Sequence, residues 1–266
     1  MTPLLNAAES ADRDIIAMLL EHGANPNWAT CLGTTPLHQA ALLGYDGIVT
    51  ILLQHGANPC VATTDISKVT PLHCAALRGH LGILIELLNH GASAHSTDAF
   101  ADTSLHRATR NGHLASVREL LDRGVSVDLG GNAGRTALHL AAQGGYLDIM
   151  VELLNRGATV NASDGSGWTA LRTAAWEERY DIVAELLSRG ADVNYATPRD
   201  GYTSLHAAVT RGSTSIAALL LGNGAIINDP GANGHTALHV ASGIRTDGAS
   251  CECCWQKVQR SMLPTD

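Results

Sequence analysis

The residues best suited to chemistry in this chain are its thirteen histidines and six cysteines. Neither set is spread at random. His38, His73, His106, His139, His206 and His239 each stand three residues after a threonine, in the pattern Thr-x-Leu-His. Histidine can hold a metal or carry a proton near neutral pH, but both uses need side chains that converge. If each copy of the pattern belongs to one layer of packed helices, neighbouring histidines lie about 10 Å apart. Two of them could not then share a zinc whose ligands sit at about 2 Å. A structural use is expected. Near the end of the chain, Cys251-Glu252-Cys253-Cys254 contains one Cys-x-x-Cys. A structural zinc site takes four ligands, generally from two such pairs, and no second pair exists. Cys251, Cys253 and Cys254 are therefore a weak metal candidate, and neither metal nor cofactor is expected. A nucleophile elbow, a phosphate loop and His-Glu-x-x-His are all missing. Gly130-Gly131-Asn132-Ala133-Gly134 lacks the following lysine of a phosphate loop and reads as a flexible connection. No enzyme activity is expected.

The elements that place these residues recur. The threonine of the pattern stands at 35, 70, 103, 136, 203 and 236, with degenerate copies at Thr2 and Thr169. Consecutive threonines are 33, 35, 33, 33, 33, 34 and 33 residues apart. A second marker keeps the same beat, the glycine after a Leu-rich stretch at Gly23, Gly56, Gly91, Gly124, Gly157, Gly190 and Gly224. Two markers with one period identify a repeat protein. Each unit reads as two short antiparallel helices and a hairpin-like loop. In the second, Thr35 can cap the first helix through its hydroxyl, and Pro36 suits the first helical position. Leu37, Ala40 and Ala41 form its buried stripe. Gly44 breaks the helix, and Ile48, Ile51, Leu52 and Leu53 give the second helix its apolar face. Gly56 ends that helix in the left-handed conformation glycine tolerates.

Thr-Pro-Leu-His-x-Ala-Ala, the glycine before the second helix, and Leu-Leu-x-x-Gly-Ala together resemble the ankyrin repeat, over about residues 2 to 245. The resemblance implies an all-α solenoid of stacked helix-turn-helix units with hairpin-like loops. It also implies that the motif histidine bonds to neighbouring backbone. The array is assigned to residues 1–245, with units starting near Thr2, Thr35, Thr70, Thr103, Thr136, Thr169, Thr203 and Thr236. Residues 246–266 form a cysteine-containing tail. There Cys251, Cys254 or Trp255, Val258 and Met262 fall on one helical face and could cap the last layer. Three departures predict looser local geometry: Leu5 for histidine in the first unit, Lys68 for the hairpin glycine of the third, and Arg172 with Glu178 for histidine and turn glycine in the sixth.

The charge balance narrows the partner. Twenty-five acidic against seventeen basic residues give a formal charge of −8, and no Lys/Arg run exists. A phosphate-gripping surface needs a basic face, so direct nucleic-acid binding is not expected. No stretch reaches 18 uninterrupted apolar residues, so no membrane span is expected. The first residues do not read as a secretory signal, and the uneven cysteines are no disulfide framework. An intracellular protein, cytoplasmic or nuclear, and a monomer are expected.

In ankyrin-like arrays the loop tips and the exposed ends of the first helices line one concave face, and the buried motif leaves those positions free to vary. By register this face includes Leu32 and Arg78 and, as an apolar group spanning units two and three, Leu42, Leu43, Leu77, Ile66 and Val69. Phe100, Arg110, Arg135, Trp168, Trp176, Tyr202 and Arg211 follow in units four to seven. Trp, Tyr and Arg are the commonest binding hot spots. The competing reading is that these aromatics pack on adjacent loops and stiffen the array. The function expected is a protein-protein interaction scaffold. The resemblance suggests a transcription co-regulator acting through protein partners, the alternative being a substrate-recognition subunit of a larger enzyme complex such as a ubiquitin ligase.

Overall fold

A computed structural model describes residues 3–231 and 234–243. Contacts sort the chain into two compact units, Met1–Asn132 and Ala133–Asp266. The first holds four helix pairs: α1 (Pro3–Glu9) with α2 (Arg13–Glu21), α3 (Pro36–Leu43) with α4 (Asp46–Gln54), α5 (Pro71–Arg78) with α6 (Leu81–Asn89), and α7 (Ser104–Arg110) with α8 (Leu114–Asp122). The second holds α9 (Ala137–Gly144) with α10 (Leu147–Asn155), α11 (Ala170–Trp176) with α12 (Tyr180–Ser188), α13 (Ser204–Arg211) with α14 (Thr214–Gly222), and then α15 (Ala237–Gly243). Within each unit, first helices pack on first helices and second on second, the first helices more extensively. Helices this short are marginal alone, so packing between layers makes them stable. The core is accordingly a thin, repeated sandwich. Leu37, Leu72, Leu105, Leu138, Leu171 and Leu205 are fully buried, as are the small Ala40, Ala75, Ala108, Ala141, Ala174 and Ala208 that let helices approach closely.

The motif residues explain how one layer is tied to the next. The Thr35 hydroxyl accepts from the His38 backbone N–H at 3.4 Å, and His38 Nδ1 accepts from the Thr35 backbone N–H at 3.2 Å, a reciprocal capping box. The other ring nitrogen, Nε2, lies 3.0 Å from the Val69 carbonyl of the following hairpin. The same reach joins His73 to the Asp102 carbonyl, His106 to Leu129, His139 to Trp168 and His206 to His235. Nδ1 accepting and Nε2 donating define a neutral tautomer. Burial lowers the pKa of His38, His139 and His206 in keeping with this. Burial, aided by the nearby Arg107 charge, holds His73 at about 4.

The hairpins do not loosen where the sequence departs from its pattern. Lys68 adopts φ +50° and Glu178 φ +58°, the left-handed conformation glycine would take. Asp65 closes the Lys68 hairpin, its Oδ1 accepting from the Thr63 and Ser67 hydroxyls at 2.7 Å and from the Ser67 and Lys68 backbone N–H groups. The Ser67 and Thr63 bonds hold the Asp65 carboxyl at about 2. In the first unit Leu5 is buried among apolar neighbours, where a histidine would reach a loop. The glycine-rich connection is also less free than its composition suggests. A Cβ on Gly131 would come within 2.3 Å of Asp102 Oδ1, and the adjoining Asn132 N–H donates to that same oxygen at 2.9 Å. Glycine is required there for close approach. The cysteine tail and Thr2 lie outside the described residues.

Candidate functional site

The surface left by this scaffold is set by the hairpin that precedes each first helix. An aspartate or threonine stands five residues before the motif threonine, at Thr30, Asp65, Asp98 and Asp164. Its side-chain oxygen closes the turn. Asp98 Oδ1 accepts from Phe100 N–H at 2.7 Å and Asp102 N–H at 3.0 Å, and Asp164 Oδ1 from Ser166 at 2.8 Å and Trp168 at 2.9 Å. The tips are thereby held in place, and the second carboxylate oxygen of Asp98 and of Asp164 is left to face an arginine.

In the first unit, Arg107 pairs with Asp98 at 2.6 Å and Arg110 with Asp102 at 2.7 Å. Burial raises the Asp102 pKa, but the Asn132 N–H and Arg110 outweigh it and the carboxyl stays below its ordinary value. Phe100 is exposed at the tip of its hairpin, and Ile66 is 87 % exposed on the preceding one. Leu43 and Arg78 are exposed as well, whereas Leu42, Leu77 and Val69 are half-buried. The expected apolar group therefore presents fewer free side chains than the register suggested. Leu42 and Leu77 are the penultimate residues of first helices that are followed by αL glycines, Gly44 and Gly79. The His113 ring packs where a Gly79 Cβ would be and lies 3.1 Å from the Leu77 carbonyl.

In the second unit the two expected tryptophans come together, with Arg211 beside them. Trp168 and Trp176 meet edge to face, 5.7 Å between centroids at 64°. The Arg172 guanidinium lies 4.3 Å from the Trp168 ring centre, and that of Arg211 lies 5.5 Å from Trp176. Both distances suit a cation over an aromatic face. Arg211 also pairs with Glu178 at 3.3 Å, and Arg135 stands 3.7 Å from Asp164. Tyr202 behaves differently. Its ring stacks on His206, 4.8 Å between centroids at 2°.

Arg172 is the residue the sequence alone undervalued. It occupies the motif histidine's position and reaches the same target, the Tyr202 carbonyl, at 3.4 Å. It also donates to the Thr197 hydroxyl and pairs with Asp200 at 3.2 Å. Burial lowers its pKa and Asp200 opposes that. Its planar fork makes several bonds where an imidazole makes one. The aspartates were readable in their spacing from the threonine, but their role needs the hairpin geometry. Phe100 and Arg110 lie in the first unit and the other members of their expected group in the second.

Among the described residues no cluster of His, Cys, Asp and Glu could hold a metal, and no helix is long and apolar enough to cross a membrane. Cys74 is buried, which pushes its thiol up to about 11 and leaves it inert. A family model described as ankyrin repeats (3 copies) matches residues 1–63, 61–131 and 127–197, and one described as ankyrin repeats (many copies) matches residues 177–221. Comparison with curated proteins finds no match. Matched units over most of its length, with the histidine tie repeated between layers, mean that the chain belongs to the ankyrin-repeat family, a module for binding other proteins.

Proposed function

We propose that the protein is a non-catalytic scaffold that grips a partner protein through hairpin tips and first-helix ends, chiefly at Trp168 and Trp176. One observation carries this reading. Two half-buried tryptophans meet at the surface with guanidinium groups over both rings. Tryptophan and arginine in such partly desolvated settings dominate binding energy in protein interfaces. The hairpins that carry Trp168 and its neighbours are closed by their own aspartates, so little freedom is lost on binding and more contact energy appears as affinity. Leu42, Leu43, Leu77, Arg78, Phe100 and Arg110 would serve as a second contact patch on the first unit. Alanine at Trp168 or Trp176 is expected to weaken partner binding by at least about 1–2 kcal/mol each, measured by calorimetry. A loss below that for both would remove this surface from the account.

The narrower role we assign is transcription co-regulation through protein partners. The charge of −8 supports it over direct DNA reading. Imaging of a tagged chain tests it: nuclear residence that falls with Leu42→Ala and Leu77→Ala is expected, and strict cytoplasmic residence of the unchanged chain would contradict it.

A further inference from the structure

Within the second unit a half-open recess of about 320 Å³ is lined by Arg135, Asp164, Ser166, Trp168, Arg199 and Asp200. Its carboxylates are already engaged. Asp164 Oδ1 takes two backbone N–H groups. Asp200 Oδ1 takes the Tyr202 N–H at 3.0 Å, and its two oxygens meet Arg172 at 3.3 and 3.2 Å. The cations lining the recess are not engaged to the same degree. Arg135 has only long contacts, 3.7 Å to Asp164 and 3.4 Å to Gln143 Oε1. Arg199 is exposed and makes no hydrogen bond or ion pair among the described residues.

Each guanidinium carries five N–H donors and no acceptor. The unused hydrogen-bonding capacity of the recess is therefore donor capacity, and what fills it must accept. Charge points the same way. Three guanidiniums, those of Arg135, Arg199 and the adjoining Arg172, face two carboxylates, leaving a surplus of one positive charge. Trp168 lines the recess as well. We propose that the recess takes the carboxylate of a single glutamate or aspartate in an extended segment of the partner. Arg135 and Arg199 donate to its oxygens, and its methylene groups lie on Trp168. Arginine's planar fork matches a carboxylate with two parallel bonds. One surplus charge balances a monoanion, whereas a phosphate dianion would keep an uncompensated charge in a partly dry site. The chain as a whole is acidic at −8. Attraction to an acidic partner is accordingly local and confined to about a Debye length, ~8 Å at physiological salt.

This proposal rests on Trp168 facing the partner, so its test separates the two ideas. Random heptapeptides are selected by display against the full chain, and the enriched ones are measured by fluorescence polarisation. The expected result is a shared acidic residue whose change to Gln or Asn raises Kd at least tenfold. Arg135→Gln with Arg199→Gln should produce a similar loss at unchanged melting temperature. Arg199→Glu should recover binding when the peptide's acid is changed to Lys. Peptides that depend on Trp168 but tolerate Gln would overturn the carboxylate assignment while leaving the binding face in place. So would a phosphoserine version that binds more than tenfold tighter than the acidic peptide. Peptides indifferent to both Trp168→Ala and the arginine changes would overturn the face itself.

Discussion

At position 172 an arginine stands where other units use histidine, and the layer beneath it still closes. The side chain is 7 % exposed, and it ties Thr197, Asp200 and the Tyr202 carbonyl while covering the Trp168 ring. Arg172→Ala would strip those partners and open a gap under the indole, a change expected to cost about 2–3 kcal/mol in urea unfolding. Arg172→His should cost less than about 1 kcal/mol, because imidazole can cap Thr169 and reach the same carbonyl, while Asp200, part exposed, can turn to water. Equal losses for the two variants would mean that the ion pair, not the tie to the loop, matters. The buried histidines carry a pH consequence as well. His73 is held at about 4 by burial, against an ordinary 6.5. Its neutral form belongs to the fold, so between 6.5 and 4 the unfolded chain binds the extra proton. This contribution is complete above pH 6.5 and is lost as pH falls toward 4, on the order of 3 kcal/mol for this group. His38, His139 and His206 shift the same way. Urea midpoints should therefore fall from pH 7 to pH 4.5, and less steeply in His73→Gln. An identical slope in that variant would contradict the assignment.

The hairpin is the element that decides how much of the surface can be foreseen. Its left-handed residue is glycine in most units but Lys68 in the third and Ala101 in the fourth, and the turn before α12 has Glu178. A side chain in that conformation costs roughly 1–2 kcal/mol relative to glycine, less the extra freedom glycine has when unfolded. Lys68→Gly and Glu178→Gly are thus each expected to raise stability by about 0.5–1 kcal/mol, read as a higher melting temperature. A fall would show that Lys68 or Glu178 makes a contact worth more than its strain. Helices, caps and layer order were legible because Thr, Leu, His and the αL glycines repeat, and each has one local job. The Trp168–Trp176 contact was legible only as two positions in register. Their edge-to-face meeting, with Arg172 and Arg211 beside the rings, is a matter of packing that register does not supply. Tyr202 has the same residue type and a similar register, yet stacks on His206 because that ring is already fixed by Thr203 and the His235 carbonyl. Composition cannot separate those two outcomes. Packing can.

For the molecule as a whole, the account is that repetition builds the frame and the residues that break repetition choose the partner. From the second unit to the seventh the motif residues are buried, while Arg135, Arg199, Phe100, Ile66, Leu43 and Arg211 are exposed. The total formal charge is −8, and the exposed guanidiniums of Arg135, Arg199 and Arg211 are local exceptions to it. The most direct test compares the proteins captured from the native cell by the unchanged chain, by Trp168→Ala/Trp176→Ala, and by Tyr180→Ala, an exposed aromatic outside the proposed surface. The account predicts that a defined set bound by the unchanged chain is retained by Tyr180→Ala and lost from the tryptophan double variant at equal melting temperature. The same set bound equally by all three would contradict it.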